Sequence, residues 1–379
     1  FKLFSLGTVS NRDEWVYDFD ETELNDKVGF FISVYNKDVK KLHRKADESS
    51  VSELVNQSIK YTRDVKKDLL KGKHYHLKGK EIRDCLYRVF VKKKLYFASE
   101  LNENQNQMPN IFPERKSKNI VIAVNQSNKA FNVLASQHLV DLHFNGDSQC
   151  LPLYRYDANG KRIDNITDWG LEQFRKKYQP TLIRYSKIDS AKGKNPKQVR
   201  NESEREITKE HIFHYVYAVL HNPEYRKKYE LNLKREFPRT PFYKNFWQWE
   251  EWGKKLLELH LNYEVAKPFA LKIIEAIHEL PLRKTILKAD KQTGIIIIDS
   301  ETTLMGIPKD AWEYKLGNRS ALEWILDQYK EKKPKDPTIA KIFNTYKFSK
   351  YKKEVIALLK KVCTVSVETM KIVREMKTA

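Results

Sequence analysis

Six apolar residues, Leu24, Val28, Phe31, Tyr35, Val39 and Leu42, follow one another at spacings of 4, 3, 4, 4 and 3. An α-helix brings such positions onto one stripe, so this segment must lie as a helix with one face buried. Val51, Leu54, Val55, Ile59 and Thr62 predict a second helix, with Lys and Arg on its other face. Asp47 to Ser50 supply the polar turn between them. Residues 1–80 therefore predict a short strand or loop over Phe1–Tyr17 and then a helical hairpin, a unit suited to spacing domains.

From about Glu81 the periodicity changes. Arg88–Phe97, Ile120–Val124, Phe131–Phe144 and Cys150–Tyr156 are short apolar, β-branched or aromatic runs, and Asp157-Ala158-Asn159-Gly160 closes them with a turn signal. Residues 81–206 predict a β-rich module, with an exposed connection from about 161 onward. Helical spacing returns at Ile212, Tyr215, Val216, Val219 and Leu220, behind a capping candidate at Thr208. It continues over Phe246–Tyr263 and Ala266–Leu280, and again from Ile356 to Val373. Gly294–Asp299 reads as one short buried strand, and Ser320-Ala321-Leu322-Glu323 as a capping box. The whole is an α+β chain whose residues 207–379 are mainly helical.

At 379 residues the chain is long enough for two or three cores. Its formal net charge of +21 favours a polyanionic partner. The basic residues are spread along the chain, which fits a long polyanion better than a membrane surface. No apolar run is long enough to span a membrane. Three scattered cysteines, Cys85, Cys150 and Cys363, imply no disulfide framework or zinc knuckle, so a reducing, cytoplasmic setting is expected. A start at Phe1 suggests a segment of a longer polypeptide.

Several motifs invite a catalytic reading. Asn222-Pro223-Glu224-Tyr225 approaches the loop with which adenine methyltransferases hold a flipped base. That loop belongs at the end of a strand, however, and Ile212–Leu220 has helical periodicity, so Pro223 reads as a helix stop. No glycine-rich cofactor loop follows a strand. Asp299 with Glu301, and Glu331 with Lys333, have spacings a nuclease could use, but chance supplies such pairs in so charged a chain. His74 with His76, and His211 with His214, lack further ligands at zinc spacing. The aromatic run Phe242 to Trp252 is assigned to a core before a base-stacking role.

Three segments are better candidates for contact with double-stranded DNA. The first is Asn125, Gln126, Ser127, Asn128 and Lys129, between two strands, where amides and a lysine can reach base edges and phosphate. The second is the loop carrying Lys192, Lys194 and Lys197. The third is Lys315, Asn318 and Arg319, just before the capped helix. Arg12, Lys116, Lys118, Lys161 and Arg162 complete the candidate contacts. No catalytic, cofactor-binding or metal-binding residue is assigned.

Four ordered blocks carry a family resemblance. They are Thr8 with Asn11-Arg12-Asp13-Glu14-Trp15-Val16-Tyr17, Gln149-Cys150-Leu151-Pro152-Leu153-Tyr154, His211 to Arg226, and Leu316 to Trp324. Together they resemble the C-terminal specificity region of single-polypeptide Type I (Type ISP) restriction–modification enzymes. The resemblance implies a target-recognition domain that follows an adenine-N6 methyltransferase core and presents DNA to it. It implies S-adenosylmethionine, ATP and Mg²⁺ in the rest of the enzyme and no activity in this segment alone. The alternatives are a self-contained DNA-modifying enzyme, either methyltransferase or nuclease, and a structural coupling module.

Overall fold

The computed structural model describes residues 1–125, 130–179, 205–276 and 284–378. The strands are β1 (Ser5–Leu6), β2 (Tyr17–Asp18), β3 (Ile82–Arg88), β4 (Val91–Tyr96), β5 (Val121–Asn125), β6 (Val133–Ser136), β7 (Leu139–Val140), β8 (Ser148–Pro152), β9 (Tyr154–Tyr156) and β10 (Arg162–Asp164). Towards the C-terminus come β11 (Lys272–Glu275), β12 (Thr285–Asp290), β13 (Ile295–Asp299), β14 (Thr302–Met305), β15 (Lys315–Leu316) and β16 (Arg319–Ser320). Three four-stranded sheets result, in the orders β1-β8-β5-β6, β2-β4-β3-β7 and β11-β14-β13-β12, with two-stranded ribbons β9–β10 and β15–β16. With the helices around them, this is an α+β fold.

The sheet β1-β8-β5-β6 lies between two cores. Along β5, Val121 and Ala123 join one apolar cluster, while Ile122 and Val124 join the other. Leu134 and Cys150 face the first cluster; Val133, Ala135 and Leu151 face the second. A strand buried on both faces needs apolar residues at every position, which is why Ile120–Val124 is a continuous apolar run. The first cluster gathers Glu21–Leu42, the second sheet, the third sheet and most of the last helix, Phe348–Glu375. The second cluster packs the helices Lys209–His221 and Phe246–Leu261 against β5 and β6. Those two helices touch so closely at Gly253 that a Cβ there would lie 1.7 Å from the His214 carbonyl oxygen.

Several sequence expectations meet the structure differently. Glu21–Leu42 is helical as its stripe requires, capped by Asp20, whose carboxylate accepts from the amides of Thr22 and Glu23. The partner helix is not continuous: one turn spans Val51–Leu54, and the next helix is Arg63–Leu70. The buried Asp38 carboxylate explains this, because it accepts the Asn56 amide at 2.6 Å and the Tyr61 hydroxyl at 2.8 Å, holding the segment between them out of a helix. Within residues 1–80, β1 pairs with β8 and β2 with β4, so its strands lie in sheets shared with the segment that follows.

The spacing predicts a helix over Ala266–Leu280. Within it Lys272–Glu275 is strand β11, paired with β14, and the β-branched Ile273 and Ile274 suit it; residues 277–280 lie outside the described residues. The C-terminal region therefore holds a sheet beside its helices. The connection after 161 also carries structure, namely β10 and a helix Asp168–Tyr178 whose cap Thr167 accepts the Gly170 amide.

Candidate nucleic-acid interface

The candidates divide between the two ends of β5, about 13 Å apart at roughly 3.3 Å per residue. Lys116 and Lys118 precede β5, and Lys161 and Arg162 lie on the β9–β10 ribbon. All four are exposed. The Tyr156 hydroxyl donates to the Lys118 carbonyl at 3.2 Å, and the Arg162 guanidinium lies 4.3 Å from the Tyr154 ring centre. These residues form one basic group.

The other end of β5 opens into the β5–β6 hairpin. Asn125 itself is buried, with its Oδ1 accepting the Asn132 amide at 2.6 Å and its Nδ2 donating to the Ala130 carbonyl at 3.1 Å. Its side chain closes the base of the hairpin, so the expected base contact from Asn125 is corrected to a structural tie. Gln126, Ser127, Asn128 and Lys129 lie outside the described residues, as do Lys192, Lys194 and Lys197.

The β15–β16 ribbon stands beside this hairpin. Gly317 takes a φ of 72°, and a Cβ there would lie 3.8 Å from the Asn132 side-chain nitrogen. Asn132 in turn donates to the Asn145 carbonyl at 3.0 Å. The fold thus brings the ribbon of Lys315, Asn318 and Arg319 next to the base of the β5–β6 hairpin, although about 190 residues separate it from Asn125 in sequence. Lys315 and Asn318 are exposed and Arg319 is half-buried. The ribbon is fixed from behind. Ser320 Oγ accepts the Glu323 amide at 3.3 Å, Glu323 accepts the Ser320 amide at 2.8 Å, and Trp324 Nε1 donates to the Leu316 carbonyl at 2.9 Å.

The helix Ala321–Gln328 leads from this ribbon to a basic loop that sequence reasoning missed. Asp327 joins the two, lying 3.3 Å from Arg319 and 3.3 Å from Lys332. Lys330, Lys332, Lys333 and Lys335 are all exposed. The loop is anchored where Glu14 accepts the amides of Lys335 and Asp336, both at 2.8 Å, and where Trp15 Nε1 donates to Asp336 at 2.8 Å. Beside this anchor a cleft of about 660 Å³ is lined by Asn11, Lys60, His143 and Lys335 among others. Asn11 is exposed and sits at a φ of 53°, a conformation costly for a residue with a Cβ. The signals were present: a lysine-dense stretch directly after a capped helix, and an Asn ahead of Arg12-Asp13-Glu14-Trp15.

Arg12 is not on this surface. It is buried, hydrogen-bonded to Thr62 and to the Glu100 carbonyl, and 3.5 Å from Glu103. Burial pushes its guanidinium down to about 10, against the pull of Glu103. Its expected role as a DNA contact is corrected to an internal cross-link between segments.

The acidic pairs also have structural work. Asp299 accepts the amides of Glu301 and Thr302 and lies 2.6 Å from Lys352, while Glu331 accepts the Phe348 amide at 2.8 Å. Asn222 ends one helix and caps the next by accepting the Tyr225 amide at 2.9 Å. Pro223 starts that next helix, as the helix-stop reading requires. Phe246, Trp249 and Trp252 are core residues, and His214 lies 2.9 Å from the buried Glu250. Phe242, by contrast, is exposed.

Residues 1–358 match the Type ISP C-terminal specificity domain, and the chain belongs to that family. Over 99% of its length it is similar to a DrdV–DNA complex solved by cryo-electron microscopy, at 45% identity and a TM-score of 0.87. It is likewise similar to a nuclease-deleted Type ISP restriction–modification enzyme, LlaGI, in complex with a DNA substrate mimic, at 30% identity and 0.78. A third likeness is to LlaBIII, an ATP-dependent Type ISP restriction–modification enzyme bound to DNA, at 26% and 0.78. The chain covers 99% of itself in each alignment but spans only 36%, 28% and 23% of those chains. No curated protein matches it. Among the described residues, no helix is long and apolar enough to cross a membrane.

Proposed function

We propose that this chain is the part of a restriction–modification polypeptide that recognises a target in double-stranded DNA and presents it to an adjacent adenine-N6 methyltransferase. The observation that supports this reading is that the β15–β16 ribbon adjoins the base of the β5–β6 hairpin and is linked through Asp327 to the Lys330–Lys335 loop. Exposed lysines there would neutralise phosphates, giving affinity that falls steeply with salt. Asn318 and Arg319, held by a rigid ribbon, would face base edges, where a good bidentate pair is worth roughly 1–3 kcal/mol of discrimination. In this reading S-adenosylmethionine, ATP and Mg²⁺ are held by other parts of the polypeptide, and this chain contributes binding and register only.

Fluorescence anisotropy with labelled duplex DNA, run beside methyl-transfer and cleavage assays, tests it. Salt-sensitive binding with neither activity is expected. Methyl transfer or cleavage by this chain alone, or no binding at any salt, would overturn it.

A further inference from the structure

We propose that the pocket between the Lys330–Lys335 loop and the Phe19–Tyr87 ring pair is a phosphate-binding site with Lys93 at its floor. The pocket encloses about 270 Å³ and is lined by Lys27, Lys93, Lys330, Lys332 and Lys333. At about 30 Å³ per water, that is room for roughly nine waters, or for a phosphate group with waters around it.

Lys93 is the unusual member. It lies on β4, and its ammonium sits 4.7 Å from the ring centre of Phe19 and 4.3 Å from that of Tyr87. Among the described residues no carboxylate forms an ion pair with it. The three acidic residues of the pocket have partners of their own, and one of them pairs with Lys27. Asp18 lies 2.6 Å from Lys27, Asp13 accepts from Ser10 and from the Tyr87 hydroxyl, and Glu14 accepts the two loop amides. Lys330 and Lys333 likewise have no ion-pair partner among the described residues, while Lys332 shares Asp327. A cation that touches two ring faces and has no directly paired carboxylate gains from an arriving anion. Burial, with Lys27 and Arg88 close by, pushes Lys93 down to about 8 against the pull of Asp18 and Asp13.

The anion's class follows from the donors. Several lysines act as point charges with no arginine fork, a donor set that binds phosphate through charge without paired planar hydrogen bonds. The pocket lies at the end of the helix whose start carries Arg319, so a backbone phosphate of bound DNA is the favoured source; free phosphate has the same chemistry. That choice of source rests on the DNA-binding reading, whereas phosphate binding itself does not.

The test is the rate at which Lys93 is acylated by a lysine-directed reagent at neutral pH, read by peptide mass spectrometry. An anion within roughly 4–6 Å raises a lysine's pKa by about 1 unit, so saturating inorganic phosphate should slow Lys93 by about tenfold. Chloride at matched ionic strength should not. The variant K330Q/K333Q changes only exposed side chains and should weaken this protection while leaving the melting temperature in place. Protection by phosphate and also by duplex DNA supports the backbone source. Protection by phosphate alone supports the site with free phosphate as its ligand. No protection by either, equal slowing by chloride, or protection by polyglutamate but not phosphate overturns the proposal. Anisotropy on the same samples reports DNA binding separately, so failure of the DNA reading leaves a different signature from failure of the site.

Discussion

Replacing Arg319 by alanine separates a phosphate contact from a structural one. In the free protein Arg319 has two visible attachments, the pair with Asp327 at 3.3 Å and the Trp324 ring at 5.4 Å. Both partners of the pair are substantially exposed, and such pairs contribute about 0–1 kcal/mol. An exposed cation–π contact adds about 0.5–1 kcal/mol. Asp327 keeps Lys332 when Arg319 is removed. R319A should therefore lose little stability. If Arg319 neutralises one phosphate, the plot of log affinity against log salt should become shallower by about 0.9. Between about 50 and 200 mM salt, wild type would then lose about 3.5-fold more affinity than R319A does. Anisotropy titrations at four or five salt concentrations, with thermal melts in parallel, measure both quantities. An unchanged slope would refute a phosphate contact by Arg319, and an unchanged slope together with unchanged affinity and stability would refute its placement on the interface. A collapse in melting temperature would refute the claim that its pair is minor.

Three further outcomes follow from the packing and the buried charges. G253A would push a methyl carbon to 1.7 Å from the His214 carbonyl oxygen. Overpacking of about 1–3 kcal/mol or more, less about 1 kcal/mol of helix propensity, predicts a clear loss in urea unfolding; an unchanged midpoint would contradict the close helix contact. N125A removes the acceptor of the Asn132 amide, so hydrogen exchange at Asn132 should speed up severalfold while β5 stays protected; unchanged exchange would place the tie elsewhere. His260 is fully enclosed between Tyr217, Tyr314 and Thr369, and burial, aided by Arg226, pushes its imidazole down to about 3. Its folded pKa lies below the unfolded value near 6.5, so the unfolded chain binds the extra proton and stability is lost as pH falls below about 6.5. Between pH 6 and 5 this histidine alone should cost about 1.2 kcal/mol, and urea midpoints that stay flat there would contradict a buried neutral His260.

Local periodicity carried much of the fold. The Leu24–Leu42 stripe, the Ser320 capping box, the strand at Ile295–Asp299 and the long last helix all stand where spacing placed them. The failures share one physical cause, a distant partner overriding local pattern. Asp38 holds the chain after Leu54 out of a helix, and β14 recruits Lys272–Glu275 into a sheet. The same holds for the site. Arg12 looked like a basic surface residue, but Glu100, Glu103 and Thr62 draw it inward from up to 91 positions away. No window of sequence shows that Gly317 stands beside Asn132, or that Lys332 shares a carboxylate with Arg319. The family blocks located the recognition domain, yet they gave no means of telling a buried arginine from an exposed one.

Hydrogen–deuterium exchange of the protein with and without duplex DNA tests the central claim most directly. Slowed exchange is expected at 141–147 and 315–320, which adjoin the base of the β5–β6 hairpin, and at 330–335, linked to them through Asp327. No change is expected along the groove lined by Glu258, Val265, Glu368 and Glu375 between the two long C-terminal helices. Protection confined to that groove, or absent from the Lys315–Lys335 segment while DNA is bound, would contradict the claim.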